Sequence, residues 1–226
     1  MKKFFALWLV ALMIIVYAQN GYSKDRDDEG HVAAIQDRIF HRYHEINLGL
    51  GYIPDDDFYY LFPGSIDHTP SFNEHWAWEV ARVQWMISME KDLKEDLERE
   101  FGVTPTRFSE PKYAVHSNFI YRFLYGKSVF GDKTIINHET YGLLGGGMIA
   151  YEDKINYGGT ESELAPSLSF GIGQKIFLSE NVCVNVELRD WVNFKEDETI
   201  NNIYFGVSIG FRFNLSPRKG QKDSIT

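Results

Sequence analysis

Residues 113–125, YAVHSNFIYRFLY, alternate with a period of two: Tyr113, Val115, Phe119, Tyr121, Phe123 and Tyr125 share one face, and His116, Asn118 and Arg122 share the other. Successive side chains of a strand point to opposite sides. As a strand, the stretch therefore has one aromatic face that tolerates hydrocarbon and one polar face. Aromatics at both ends suit the girdles at the two surfaces of a membrane, and a length of about ten residues suits a tilted transmembrane strand.

The same alternation recurs on either side. His44–Tyr52, HEINLGLGY, sets Ile46, Leu48, Leu50 and Tyr52 against Glu45, Asn47, Gly49 and Gly51. A weaker segment covers about 65–72, made irregular by Pro70, and Asn73-Glu74 reverses the chain into a third segment, 76–87. A fifth, 134–151, contains Gly145-Gly146-Gly147, which blurs its phase and leaves its faces unassigned. Leu168, Phe170, Ile172 and Ile176 then alternate with Ser169, Gly171, Gly173 and Lys175. After a turn at 179–181, Val182, Val184, Val186 and Leu188 alternate with Cys183, Asn185, Glu187 and Arg189. The eighth segment, 203–215, sets Phe205, Val207, Ile209, Phe211 and Phe213 against Tyr204, Gly206, Ser208, Gly210, Arg212 and Asn214. The fold class expected is all-β: a closed antiparallel transmembrane β-barrel of about eight strands, 44–215.

Loop lengths supply an independent check, because a barrel with both ends in the periplasm alternates long outer loops with short inner turns. The connections 53–64, 89–112, 152–162 and 195–200 are long and those at 73–75 and 179–181 short; 126–133 is long for an inner turn. In the second outer loop Met89, Leu93, Leu97 and Phe101 recur every four residues between Ser88 and Gly102, which predicts a short amphipathic helix over 89–101.

At the amino terminus Lys2 and Lys3 precede an apolar run from Phe4 to Ala18, shorter than the roughly twenty residues a spanning helix needs. The pattern is that of a secretory signal peptide, 1–23, removed on export; the alternative is an uncleaved anchor. Residues 24–43 read as a periplasmic lead-in with an apolar patch at Val32, Ile35, Ile39 and Phe40 that could plug the barrel, and 216–226 as a polar carboxy-terminal tail. Without Lys2 and Lys3 there remain 21 basic and 32 acidic residues, a net of −11, a surface that repels nucleic acid. The single cysteine, Cys183, makes no intramolecular disulfide, so core and sheet must hold the exported chain together.

The motifs IQDRIFHRYHEINLGLGYIPDDDFY, FNEHWAWEV, LKEDLEREFGVTP, FLYGKSVF, YGLLGGG and VELRDW, in this order between Ile35 and Leu215, resemble an outer-membrane β-barrel domain family known mainly from myxobacteria and related deltaproteobacteria, small proteins present as several paralogues. The resemblance implies a barrel in a Gram-negative cell envelope and no particular chemistry. One departure is that the chain continues past its last strand instead of ending there on an aromatic residue.

Candidate chemistry is sparse. No Gly-x-Ser-x-Gly, His-Glu-x-x-His, phosphate loop or Cys-x-x-Cys occurs. His116 and Ser117, like His138 and Glu139, are adjacent and so point to opposite faces of a strand. His68 with Ser71 and His75 with Glu74 lie where polar residues are expected anyway. Asp55-Asp56-Asp57 lacks the spacing of a calcium loop and reads as a solvated turn, and Trp76, Trp78 and Trp85 read as membrane-facing aromatics.

The expectation is therefore a non-enzymatic barrel with a structural or interaction role and no cofactor, metal or catalytic residue. Its partners would be outer-membrane lipid and lipopolysaccharide, the outer-membrane assembly machinery and an envelope protein. Its lumen should be filled by a charge network of Glu45, Glu79, Arg122, Glu187, Arg189 and Arg212, because eight strands leave an interior only about wide enough for side chains. Two other readings compete: a lipid-modifying barrel enzyme, and a soluble lipocalin-like periplasmic binder, which would turn its apolar residues inward.

Overall fold

The computed structural model describes residues 43–54, 59–91, 107–130, 134–155, 159–196 and 198–215. They form eight strands: β1 (His44–Tyr52), β2 (Tyr59–Pro70), β3 (Trp76–Glu90), β4 (Arg107–Phe130), β5 (Thr134–Ile155), β6 (Gly159–Phe177), β7 (Val182–Phe194) and β8 (Thr199–Phe213). Each pairs antiparallel with the next, and β8 pairs with β1 to close the ring. In that seam Glu45 stands opposite Arg212 and Leu48 opposite Ile209.

The register puts the apolar set outside. On β8 Phe205, Val207, Ile209 and Phe211 are exposed while Tyr204, Ser208 and Arg212 are buried; on β1 Leu48 and Leu50 are exposed while Glu45 and Asn47 are buried. The outward column from Ile203 to Phe213, with about 3.3 Å rise per residue at a tilt of about 40°, is roughly 25 Å tall, the height of the apolar band of a membrane barrel. Trp76, Tyr121 and Phe72 line its inner edge, and Trp85, Tyr60 and Tyr113 its outer edge.

Several strands differ in extent from the alternation. β2 begins at Tyr59, so the first outer connection is shorter than 53–64: Pro63 and Gly64, which read as loop, are buried in the strand. β3 runs to Glu90, so Met89 and Glu90 are strand and not the first turn of the helix predicted over 89–101; pairing with Tyr60 and Tyr59 of β2 holds them extended. The rest of that helix lies outside the described residues, as do the signal segment, nearly all of the lead-in, Asp55–Asp57 and the tail after Leu215. No helix occurs among the described residues.

The apparent long inner loop 126–133 is mostly strand: β4 and β5 continue as a hairpin to Phe130 paired with Thr134. A register shift between Arg122 and Leu124 accompanies this extension. It leaves both Phe123 and Leu124 exposed and buries the hydroxyl of Tyr125, which the simple alternation had placed on the outer face.

Candidate functional site

The lumen holds three layers. At mid-depth, Arg82 lies 2.7 Å from Asp67, 3.1 Å from Glu79 and 2.9 Å from Glu187. Arg189 meets Glu79 through two parallel contacts, Nη1 to Oε1 at 3.0 Å and Nη2 to Oε2 at 2.7 Å, and Glu187 at 2.9 Å. Neutral donors complete the carboxylates: Asn118 donates to Glu79 at 2.6 Å, Tyr141 to Glu187 at 2.6 Å and Asn47 to Asp67 at 2.7 Å. Such completion is what makes buried charge tolerable.

Towards the inner mouth, Lys175 lies 2.5 Å and Arg212 3.7 Å from Glu45, and Arg122 lies 3.5 Å from Glu139 while donating to Ser71 at 2.7 Å. Arg212 also covers the ring of Phe177 at 4.6 Å. The middle layer carries three carboxylates and two guanidiniums, the inner layer three cations and two carboxylates, so each compensates the other. Between them remains a cavity of about 10 Å³ bordered by Glu45, Asn47, Glu79, Arg122, Lys175 and Glu187. That is about the space of one water molecule.

The third layer, towards the outer mouth, is built on an apolar cluster of Ile53, Tyr59, Leu61, Met86, Ile149, Tyr151, Trp191 and Tyr204, with Gln84, Glu110, Asn193 and Asn202 buried beside it. Trp191 stacks between His116 and Tyr204, with centroids 5.1 Å apart on either side. Glycines make room for these rings. A Cβ at Gly51 would stand 2.1 Å, and at Gly206 2.4 Å, from atoms of Tyr204.

Each of the six residues singled out as lumenal, Glu45, Glu79, Arg122, Glu187, Arg189 and Arg212, is buried. The alternation missed Arg82, Asp67, Lys175 and Glu139. Glu79 and Arg82 are three apart and belong on opposite faces of a regular strand; a register shift between them in the β3–β4 pairing turns both inward and leaves Ala81 exposed. Lys175 already shared parity with Gly171 and Gly173, so its signal was present. Glu139 lies on the strand whose phase the glycines obscured.

Two Ser–His contacts occur among the described residues. His116 Nε2 lies 3.1 Å from Ser167 Oγ inside the lumen, and His138 Nε2 lies 2.9 Å from Ser128 Oγ on the outside. The second nitrogen of His116 has no hydrogen-bond partner among the described residues and that of His138 faces the Gln174 amide, so neither histidine is oriented by a carboxylate as in a hydrolytic triad. No group of three or more His, Cys, Asp or Glu among the described residues could hold a metal ion.

No protein-family model and no curated protein matches the chain. Among solved structures it is similar to the N-terminal β-barrel domain of Pseudomonas aeruginosa OprF, at 13% identity and a TM-score of 0.48 over 76% of this chain and 98% of that one. It is also similar to Ail, the attachment invasion locus protein of Yersinia pestis (16%, 0.42, over 76% and 97%), and to Neisserial surface protein A (12%, 0.40, over 76% and 95%). The assignment of this chain as a closed eight-stranded barrel rests on its own strand pairing.

Proposed function

We propose that the chain is exported through its amino-terminal signal and inserted by the outer-membrane assembly machinery as a small, closed barrel. It acts there as a structural or interaction protein, presenting its outer loops to partners and its flanks to lipid and lipopolysaccharide. The observation that carries this reading is the inversion of faces: aliphatic and aromatic side chains cover the outside over about 25 Å, while ten charged side chains pair inside. A soluble carrier needs the opposite arrangement. The filled lumen argues against a large pore, and histidines without orienting carboxylates argue against a lipid hydrolase. The likeness in motif order to the deltaproteobacterial barrel family points the same way.

Fractionation with heat-dependent electrophoresis tests the placement. The mature protein should sediment with outer membranes and migrate faster unheated than boiled, because a closed ladder resists detergent. Recovery from the soluble periplasm would reject the proposal. Purified protein in planar bilayers should show no large, steady conductance.

A further inference from the structure

We infer that His44 and His68 form a two-imidazole site for a late first-row transition-metal ion, copper or zinc, on the outside of the barrel at its inner rim. The two residues come from neighbouring strands in diagonal register: His44 stands opposite Pro70, and His68 opposite Ile46. Both share the outward parity of Ile46, both are half-buried, and His44 stands opposite Phe213 at the edge of the apolar band. His44 Nδ1 and His68 Nε2 are 3.3 Å apart. Two nitrogens bound at about 2.0–2.1 Å to a tetrahedral ion are separated by roughly the same distance. Without an ion the contact is a hydrogen bond between the two ring nitrogens; an ion takes the place of the shared proton, and each ring turns to aim its lone pair at it.

The surroundings favour this occupant. The two ring planes lie within 10° of each other, and Phe213 packs on His44 at 5.8 Å between centroids, which holds that ring in place. The sheet fixes both Cα positions, so little freedom is lost on binding. Among the described residues of the inner rim, Lys175, Arg122 and Arg212 are all buried in the lumen and turned away from this pair. Imidazole nitrogen suits copper and zinc and not the hard cations, and water supplies the remaining ligands.

The test is calorimetric titration of Cu²⁺ and of Zn²⁺ into untagged, metal-free full-length barrel refolded in detergent, beside His44→Gln, His68→Gln and the double variant. Heat-dependent electrophoresis checks that each variant is folded. Wild type should bind one equivalent, and each single variant should bind about tenfold or more weakly, since even an outer-shell partner of a ligand is worth about that much. Electron paramagnetic resonance of the copper form should show two coupled nitrogens. No binding by wild type, or binding that survives in the double variant at the other histidines, overturns the inference.

Discussion

The two ends of the lumen solve one packing problem with different chemistry. The outer end is filled by stacked rings and aliphatic chains around Trp191, the middle and inner end by paired charges around Arg82, Arg189 and Glu45. Ring packing is stabilised by area and shape, and its parts fail one at a time. A charge lattice depends on every member having its partner, so loss of one leaves another uncompensated in a medium of low dielectric. The apolar end should therefore tolerate trimming better than the charged end tolerates neutralisation.

Four substitutions break or sharpen that contrast, read as unfolding free energy from urea titration in detergent or vesicles. The largest loss is expected for Arg189→Met, which leaves Asp67, Glu79 and Glu187 to share Arg82 alone; removing one partner of a buried pair costs about 3–5 kcal/mol. Adding Glu79→Leu should recover part of it, and a double-mutant cycle measures the coupling. Trp191→Ala should cost about 3 kcal/mol, the low end for a truncated buried aromatic, because His116 and Tyr204 can close on the space. If Trp191→Ala proves the more damaging, the contrast between the two ends fails. Gly206→Ala pushes a methyl against Tyr204 and should cost about 1–2 kcal/mol, as overpacking does, with Tyr204→Leu relieving it. Glu152→Gln, at a half-buried contact 3.6 Å from Lys112, should change stability by less than about 0.5 kcal/mol.

Strand number, the facing of five strands and the closure of β1 on β8 were legible because hydrocarbon outside and crowding inside impose strict alternation. What escaped the sequence has local causes. The irregularity in β3 places Glu79 and Arg82 together where counting by twos separates them. The shift at Arg122 and Leu124 does the same for Tyr125. Pro63 and Gly64 carry the composition of a loop, yet β2 absorbs them, with Trp85 of β3 lying against Gly64. Charge pairing was legible as parity, and Glu45 with Arg212 followed from closing the first strand on the last, but partner choice across the lumen was not: Arg189 bonds to Glu79, 110 residues away, a relation that exists only once the ring has closed.

That closure bears on how the protein comes into being. The seam joins the first strand to the last, and the amide of Tyr43 is held by the side chain of Asn214, 171 residues further along the chain. Contacts of such sequence separation form slowly, and until they form both terminal strands are open edges, each a template for pairing with another chain. No amino-terminal fragment of this protein can be a smaller version of it. Synthesis must be complete before the ring can close, and for all that time both edges stay open.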